Sequence, residues 1–239
     1  MKTVFLLLLL TFTLGNTSFA KTFEVVKEHS RVTFDVEYMS MTKVEGQFKD
    51  YRAFFDLTEK EDELSNVKME IKAESIDTSD GKRDFHLKGQ EFFFVANYPE
   101  VTFKAKGPVK ISEGQEFKLS GELTIKDTTK PVTLTGIYKG KRLDPWGKNN
   151  YFFTLAGEID RKDFGIIWNK QMDAGGYLVG DKVRLNITVQ SQPIGEKTSF
   201  STHMVPETKA IKERADLKRG KIKKLTTPTD ANDHKAPKN

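Results

Sequence analysis

The chain has 239 residues, 39 Lys and Arg against 34 Asp and Glu, no cysteine, and 18 Phe within a hydrophobic content of 37%. Without cysteine there is no disulfide scaffold, thiol nucleophile, thiolate zinc site, iron–sulfur cluster or lipidated N-terminal Cys. A charged content of 31% excludes a polytopic membrane protein, and so many phenylalanines exclude a wholly disordered chain.

Residues 1–20 read as an export signal. Lys2 supplies the early positive charge, an apolar run extends from Val4 to about Leu14, and Ser18 and Ala20 form a small-x-small cleavage site. An uncleaved anchor is the alternative, but the run is short against the ~20 apolar residues of a spanning helix. The mature protein is then expected to start near Lys21 and to be periplasmic in a bacterium.

Residues 21–192 read as one domain, built of strands almost throughout. Val32, Phe34 and Val36 alternate with Thr33, Asp35 and Glu37, and a less regular strand over Gly46–Leu57 carries Phe48, Ala53 and Phe55. Val67, Met69 and Ile71 alternate with Lys68, Glu70 and Lys72. Ser79–Gly89 breaks the pattern and predicts a short helix, followed by the apolar run Phe92–Val95 before Tyr98-Pro99. This insertion is expected to form a lid across one barrel end.

Beyond it, Val101, Phe103 and Ala105 alternate with Thr102, Lys104 and Lys106. Further alternations run through Phe117, Leu119, Gly121, Leu123 and Ile125, then Val132 and Leu134, then Phe153, Leu155, Gly157 and Ile159, and finally Val183, Leu185, Ile187 and Val189. A period of two with one polar face marks antiparallel strands wetted on one side. About eight such strands, several of them long, predict a single eight-stranded antiparallel barrel, which leaves no exposed edges.

From 193 to 239 Gly, Pro, Thr and Lys replace the core-forming residues, and a disordered basic tail is expected. The tail carries a net +5 and residues 21–192 a net −1, so the basic pI belongs to the appendage and nucleic acid is not an expected partner. Lys209, Lys212, Arg214, Lys218, Arg219, Lys221, Lys223 and Lys224 crowd one stretch of it. They are either a solubilising extension or a weak contact for an anionic membrane or cell-wall surface.

Several strings in the barrel region resemble the YceI-like, polyisoprenoid-binding, lipocalin-like family. They are His29-Ser30-x-Val32-x-Phe34-x-Val36; Val44-x-Gly46-x-Phe48; Ala73-x-Ser75-Ile76-Asp77-Thr78 with Arg83-Asp84-x-His86-Leu87 and Phe92-Phe93; Tyr98-Pro99-x-Val101-x-Phe103; Gly121-x-Leu123-Thr124-Ile125 with Thr129-Lys130-Pro131-Val132; Ile159-Asp160-Arg161-x-Asp163-Phe164-Gly165; and Val179-Gly180-Asp181-x-Val183. Their order and spacing carry the resemblance over roughly residues 22–190. Two positions depart from it: Tyr38-Met39-Ser40 stands where many members have a His, and Lys126-Asp127-Thr128 replaces a glycine-containing turn.

The resemblance implies a barrel that holds a long isoprenoid chain in an elongated apolar pore. Phe34, Val36, Phe48, Phe103, Leu123, Leu155, Val183, Leu185 and Ile187 are then the expected wall, with Arg83 and His86 on the lid as candidates for a polar headgroup. Gly121, Gly157, Ala105 and Ala53 either make room for the chain or mark strand bends and close strand contacts. No HxxxH or HExxH spacing occurs, so no metal or other cofactor is expected, only the lipid as ligand.

Asp84 and His86 acting with Ser75 or Thr78 would make a hydrolase; the competing assignment is ion pairs and cap bonds that fix the lid. The expected function is therefore an exported, non-catalytic binder or carrier of a long apolar lipid, isoprenoid or quinone-like. Its rivals are a solid-core interaction module acting through the tail and a periplasmic hydrolase.

Overall fold

A computed structural model describes residues 20–173 and 175–195. The residues expected to form a signal, up to residue 19, and those of the expected tail, from 196, lie outside the described residues.

Eight long strands follow one another around a closed antiparallel barrel. β1 has two halves, Ala20–Val25 and Arg31–Tyr38, separated by the 3-10 turn Lys27–His29; β2 also has two, Thr42–Phe48 and Tyr51–Thr58. β3 is Glu63–Lys72, β4 Glu100–Ala105, β5 Glu116–Ile125, β6 Thr128–Leu143, β7 Asn149–Asp160 and β8 Val179–Pro193. Each pairs with the next, and β8 returns to β1 through Phe34 with Leu185, Val32 with Ile187 and Phe23 with Pro193. Closure leaves no free edge along the barrel.

The strand expected over Gly46–Leu57 begins earlier, at Thr42, and breaks at Lys49–Asp50. There the Lys49 amide donates to Ser75 O (3.1 Å) and Asp50 O accepts from the Lys72 amide (2.9 Å), so the backbone leaves the ladder to hold the insertion. The insertion contains α1, Gly81–Lys88, capped by Asp80, whose carboxylate accepts from the amides of Lys82 (3.0 Å) and Arg83 (3.1 Å).

Alternation puts one side chain in two inside. Along β5 Phe117, Leu119, Leu123 and Ile125 are buried while Lys118, Ser120 and Glu122 are exposed. At the end of the barrel away from α1 the inward aromatics meet. Phe23 stacks on Phe55 (5.3 Å between ring centres), Phe55 meets the edge of Phe153 (5.4 Å), and Phe153 stacks on Tyr138 (4.9 Å). The buried Tyr138 hydroxyl donates to Glu61 (2.9 Å), and Glu61 also pairs with Lys141. Burial, reinforced by the Glu61 carboxylate, raises the Tyr138 phenol well above its ordinary value.

Candidate functional site

At the α1 end the inward side chains do not meet. An apolar cavity of about 1220 Å³ of empty space, counting its open mouth, lies under the helix, and a deeper lobe of about 650 Å³ runs toward the aromatic end. Val32, Met69, Phe103, Leu134 and Ile187 line both lobes, which are thus one lumen.

The expected wall residues are brought together there. Phe34, Val36, Phe48, Leu123, Val183 and Leu185 line the larger lobe, Phe103 and Ile187 both, and Leu155 the deeper one. β8 makes the openness visible: Val183, Leu185 and Ile187 point inward yet are only half-buried, because nothing sits opposite them.

The small inward residues divide. A side chain at Gly46 would start 2.3 Å from the Phe34 ring, and one at Gly121 2.4 Å from both the Phe103 ring and Lys104 O. These aromatics lie flat across glycines of the neighbouring strand, so Gly121 marks a close contact and not a space for a chain. Gly157 is likewise covered by Leu134. Ala53 does face the deeper lobe, and Ala105 does not line the lumen.

The lid meets the lumen through Leu87, Phe92 and Phe93. Arg83 and His86, expected at the mouth as headgroup ligands, do not line it. The Arg83 guanidinium donates to Thr78 Oγ1 and to Thr78 O (both 2.7 Å), and Asp84 accepts from the Thr78 amide (2.8 Å) and hydroxyl (2.6 Å). Buried Thr78 is thereby clamped from two sides, and α1 is fastened by its first turn. His86 pairs instead with Glu91 (2.7 Å), its ring edge-on to Phe92 and Trp168. Asp84 and His86 thus serve different partners, and the Ser75 hydroxyl donates to Lys72 O (2.6 Å), so the hydrolytic constellation is not assembled. An eight-residue helix sends i and i+2 to different faces, which separates these two in space despite their nearness in sequence.

Arg161 is a wall residue that the alternation does not reveal. Only 4% exposed, it donates to Gly180 O (2.9 Å), Ile166 O and Trp168 O (2.8 Å each), Val179 O (3.4 Å) and Asp181 (3.2 Å). Between Val179 and Val183 the β8 ladder to β1 is bulged, and Arg161 takes up carbonyls at that bulge. Burial lowers the guanidinium from its ordinary value, opposed by Asp181. All five of its N–H donors are used, which leaves none for a ligand. In the sequence it stands directly after Asp160, the last residue of β7, and one charge beside another at a strand end ordinarily reads as solvent-facing.

A family model described as YceI-like domain matches residues 23–191. Protein YceI of Salmonella newport (strain SL254) is 37% identical over 164 residues, covering 68% of this chain and 84% of that protein. The crystal structure of the Campylobacter jejuni YceI protein superposes with a TM-score of 0.55 at 29% identity, covering 64% of this chain and 87% of the other. Burkholderia cenocepacia BcnA shares the fold, with a TM-score of 0.59 at 22% identity over 70% of this chain and 98% of that one.

Proposed function

The chain belongs to the YceI-like family, and from that premise we propose that it is an exported, non-catalytic binder or carrier of a long apolar lipid, held in the barrel lumen. The observation that carries this is the wall: a closed barrel with a cavity walled chiefly by Val, Leu, Ile, Met and Phe, whose one charged member, Arg161, is fully engaged by neighbouring carbonyls and Asp181. Such a wall favours hydrocarbon and offers no hydrogen bond to orient a polar substrate. Each buried methylene is worth ~0.8 kcal/mol, so a chain of ten or so supplies several kcal/mol before ordering costs.

A narrow two-lobed lumen favours one slender chain of the isoprenoid or quinone-like kind over a compact ring system. Residues 1–20, read as an export signal, support a periplasmic location, between membranes that hold such lipids. The basic run from Lys209 to Lys224 adds a weak contact with anionic surface on the strength of its charge alone.

Native mass spectrometry of the purified protein, followed by organic extraction of whatever it releases, tests the reading. A bound species with a long hydrocarbon chain is expected. A lumen that stays empty and takes up no fluorescent isoprenoid analogue from detergent solution would sink it.

A further inference from the structure

Five large apolar side chains stand in water at the α1 end: Met39 (44% exposed), Met41 (91%), Phe85 (81%), Ile167 (70%) and Tyr177 (61%). They come from three places, the turn between β1 and β2, α1, and the segment between β7 and β8. These places are joined: the Met39 amide donates to Leu178 O (2.8 Å), and His86 of α1 meets Trp168 (5.0 Å between ring centres).

The turn is unusual in a way that points outward. Met39 (φ 53°) and Ser40 (φ 55°) both occupy the left-handed region, in a three-residue reversal between the paired Tyr38 and Thr42 where Gly or Asn would be unstrained. The chain here keeps methionines on a strained tip that ends in solvent. One ladder step below, Tyr38 pairs with Val179, and past the bulge Val36 pairs with Val183. Val36, Val179 and Val183 all line the lumen. Hydrocarbon therefore runs from the exposed tip into the cavity, and the bulge carbonyls beside that path are held away from it by Arg161.

We infer that the β1–β2 turn, with Ile167 and Tyr177 of the β7–β8 connection, forms the portal of the lumen, and that this edge docks shallowly on a phospholipid bilayer, from which the lipid passes into the barrel. The inference rests on the lipid-binding reading and names the surface that serves it. A stable protein partner needs a continuous patch of roughly 800 Å² per side; here isolated tips project from separate loops. That arrangement suits a fluid apolar phase. The Lys162 ammonium lies over the Tyr177 ring (5.9 Å), and an aromatic ring beside a lysine suits the headgroup boundary. Transfer by contact also spares a long chain its passage through water.

The contact is apolar, so it persists on zwitterionic vesicles at high salt, where the basic tail is silent. The test uses the full chain with phosphatidylcholine vesicles under those conditions. A double variant, Met41→Asp with Ile167→Asp, should lose co-flotation and slow transfer of a fluorescent isoprenoid analogue from vesicles by about tenfold or more, the effect of two lost apolar insertions. It should bind the same analogue normally from detergent solution, which also shows that it is folded. Leu143→Asp, at an exposed residue of the opposite end, should behave as the parent does.

Because the chain has no cysteine, Met41→Cys and Leu143→Cys can each carry one environment-sensitive dye. The dye at 41 should shift to the blue on vesicle addition, and the dye at 143 should not. Equal transfer by parent and double variant, or a dye at 41 blind to vesicles, overturns the docking edge while normal uptake from detergent leaves the lipid reading standing. Failure of the parent to take up the analogue from detergent overturns the lipid reading itself.

Discussion

The two ends of the barrel are written in the same alternation, yet one is filled and the other is not. At the filled end Phe23, Phe55, Phe153 and Tyr138 face one another with ring centres near van der Waals distance, and Phe23, Tyr138 and Leu57 are almost wholly buried. At the α1 end the inward residues Val36, Val183 and Leu185 are branched aliphatics that reach less far, and Phe34 lies across Gly46 instead of into the space. The lid rings Phe92 and Phe93 stop above the lumen and do not plug it. Residue size at facing positions separates a core from a container, and glycine placement directs where the aromatic rings go.

Truncation at each end measures the contrast most directly. Phe23→Ala opens a void among packed rings and should cost about 3–5 kcal/mol in denaturant unfolding. Leu185→Ala removes a half-buried side chain beside existing space; with no new cavity to form, about 1–2 kcal/mol is expected. Equal losses would mean that the α1 end is packed as tightly as the other. Leu185→Glu should abolish uptake of an isoprenoid analogue, whereas Arg184→Ala, which breaks only the exposed pair with Asp35 (2.7 Å), should change stability by less than about 1 kcal/mol and leave uptake intact.

Next in size is the lumen's calibre. Gly46→Ala places a methyl where the Phe34 ring now lies, so the ring must swing toward the cavity. A cost of about 1–3 kcal/mol is expected, together with a shorter maximum chain length in a series of isoprenoid alcohols. An unchanged length preference would show that Phe34 does not set the calibre.

The lid gives smaller effects. Arg83→Ala removes two hydrogen bonds to Thr78 and should destabilise by about 1–2 kcal/mol, with faster release of bound analogue. His86→Ala, which loses an exposed pair with Glu91, should cost under about 1 kcal/mol. If either abolished binding outright with the barrel intact, a direct headgroup role would return.

The smallest effect is on pH. The amide of Arg83 above all, with that of Lys82, holds the Asp80 carboxyl below its ordinary 3.8. A depressed folded value stabilises the helix start above the unfolded pKa, and that stabilisation fades as pH falls through the folded one. Amide exchange in α1 should therefore quicken below about pH 4 in the parent and not in Asp80→Asn, whose cap does not titrate.

Alternation alone separated inside from outside: nine apolar positions, from Phe34 to Ile187, were legible as lumen wall because a strand's facing has a period of two and is fixed locally. The number of strands was legible for the same reason, the insertion as a break in that alternation, and the family resemblance through the order and spacing of its strings. Arg83 and His86 were misplaced to the mouth because neighbours on a helix face different ways, and Arg161 was hidden because a buried arginine is recognisable only by the carbonyls around it. Those carbonyls, on Ile166, Trp168, Val179 and Gly180, come together through the return of β8. Whether the barrel is solid or hollow was likewise undecided in sequence, since it depends on what stands across the lumen. Val32 and Ile187 become partners through closure of β1 on β8, and the gap between opposite walls is set by strand curvature and by which rings lie over glycines. A strand's period of two settles which side chains face inward; how far apart they stand follows only from the closed barrel.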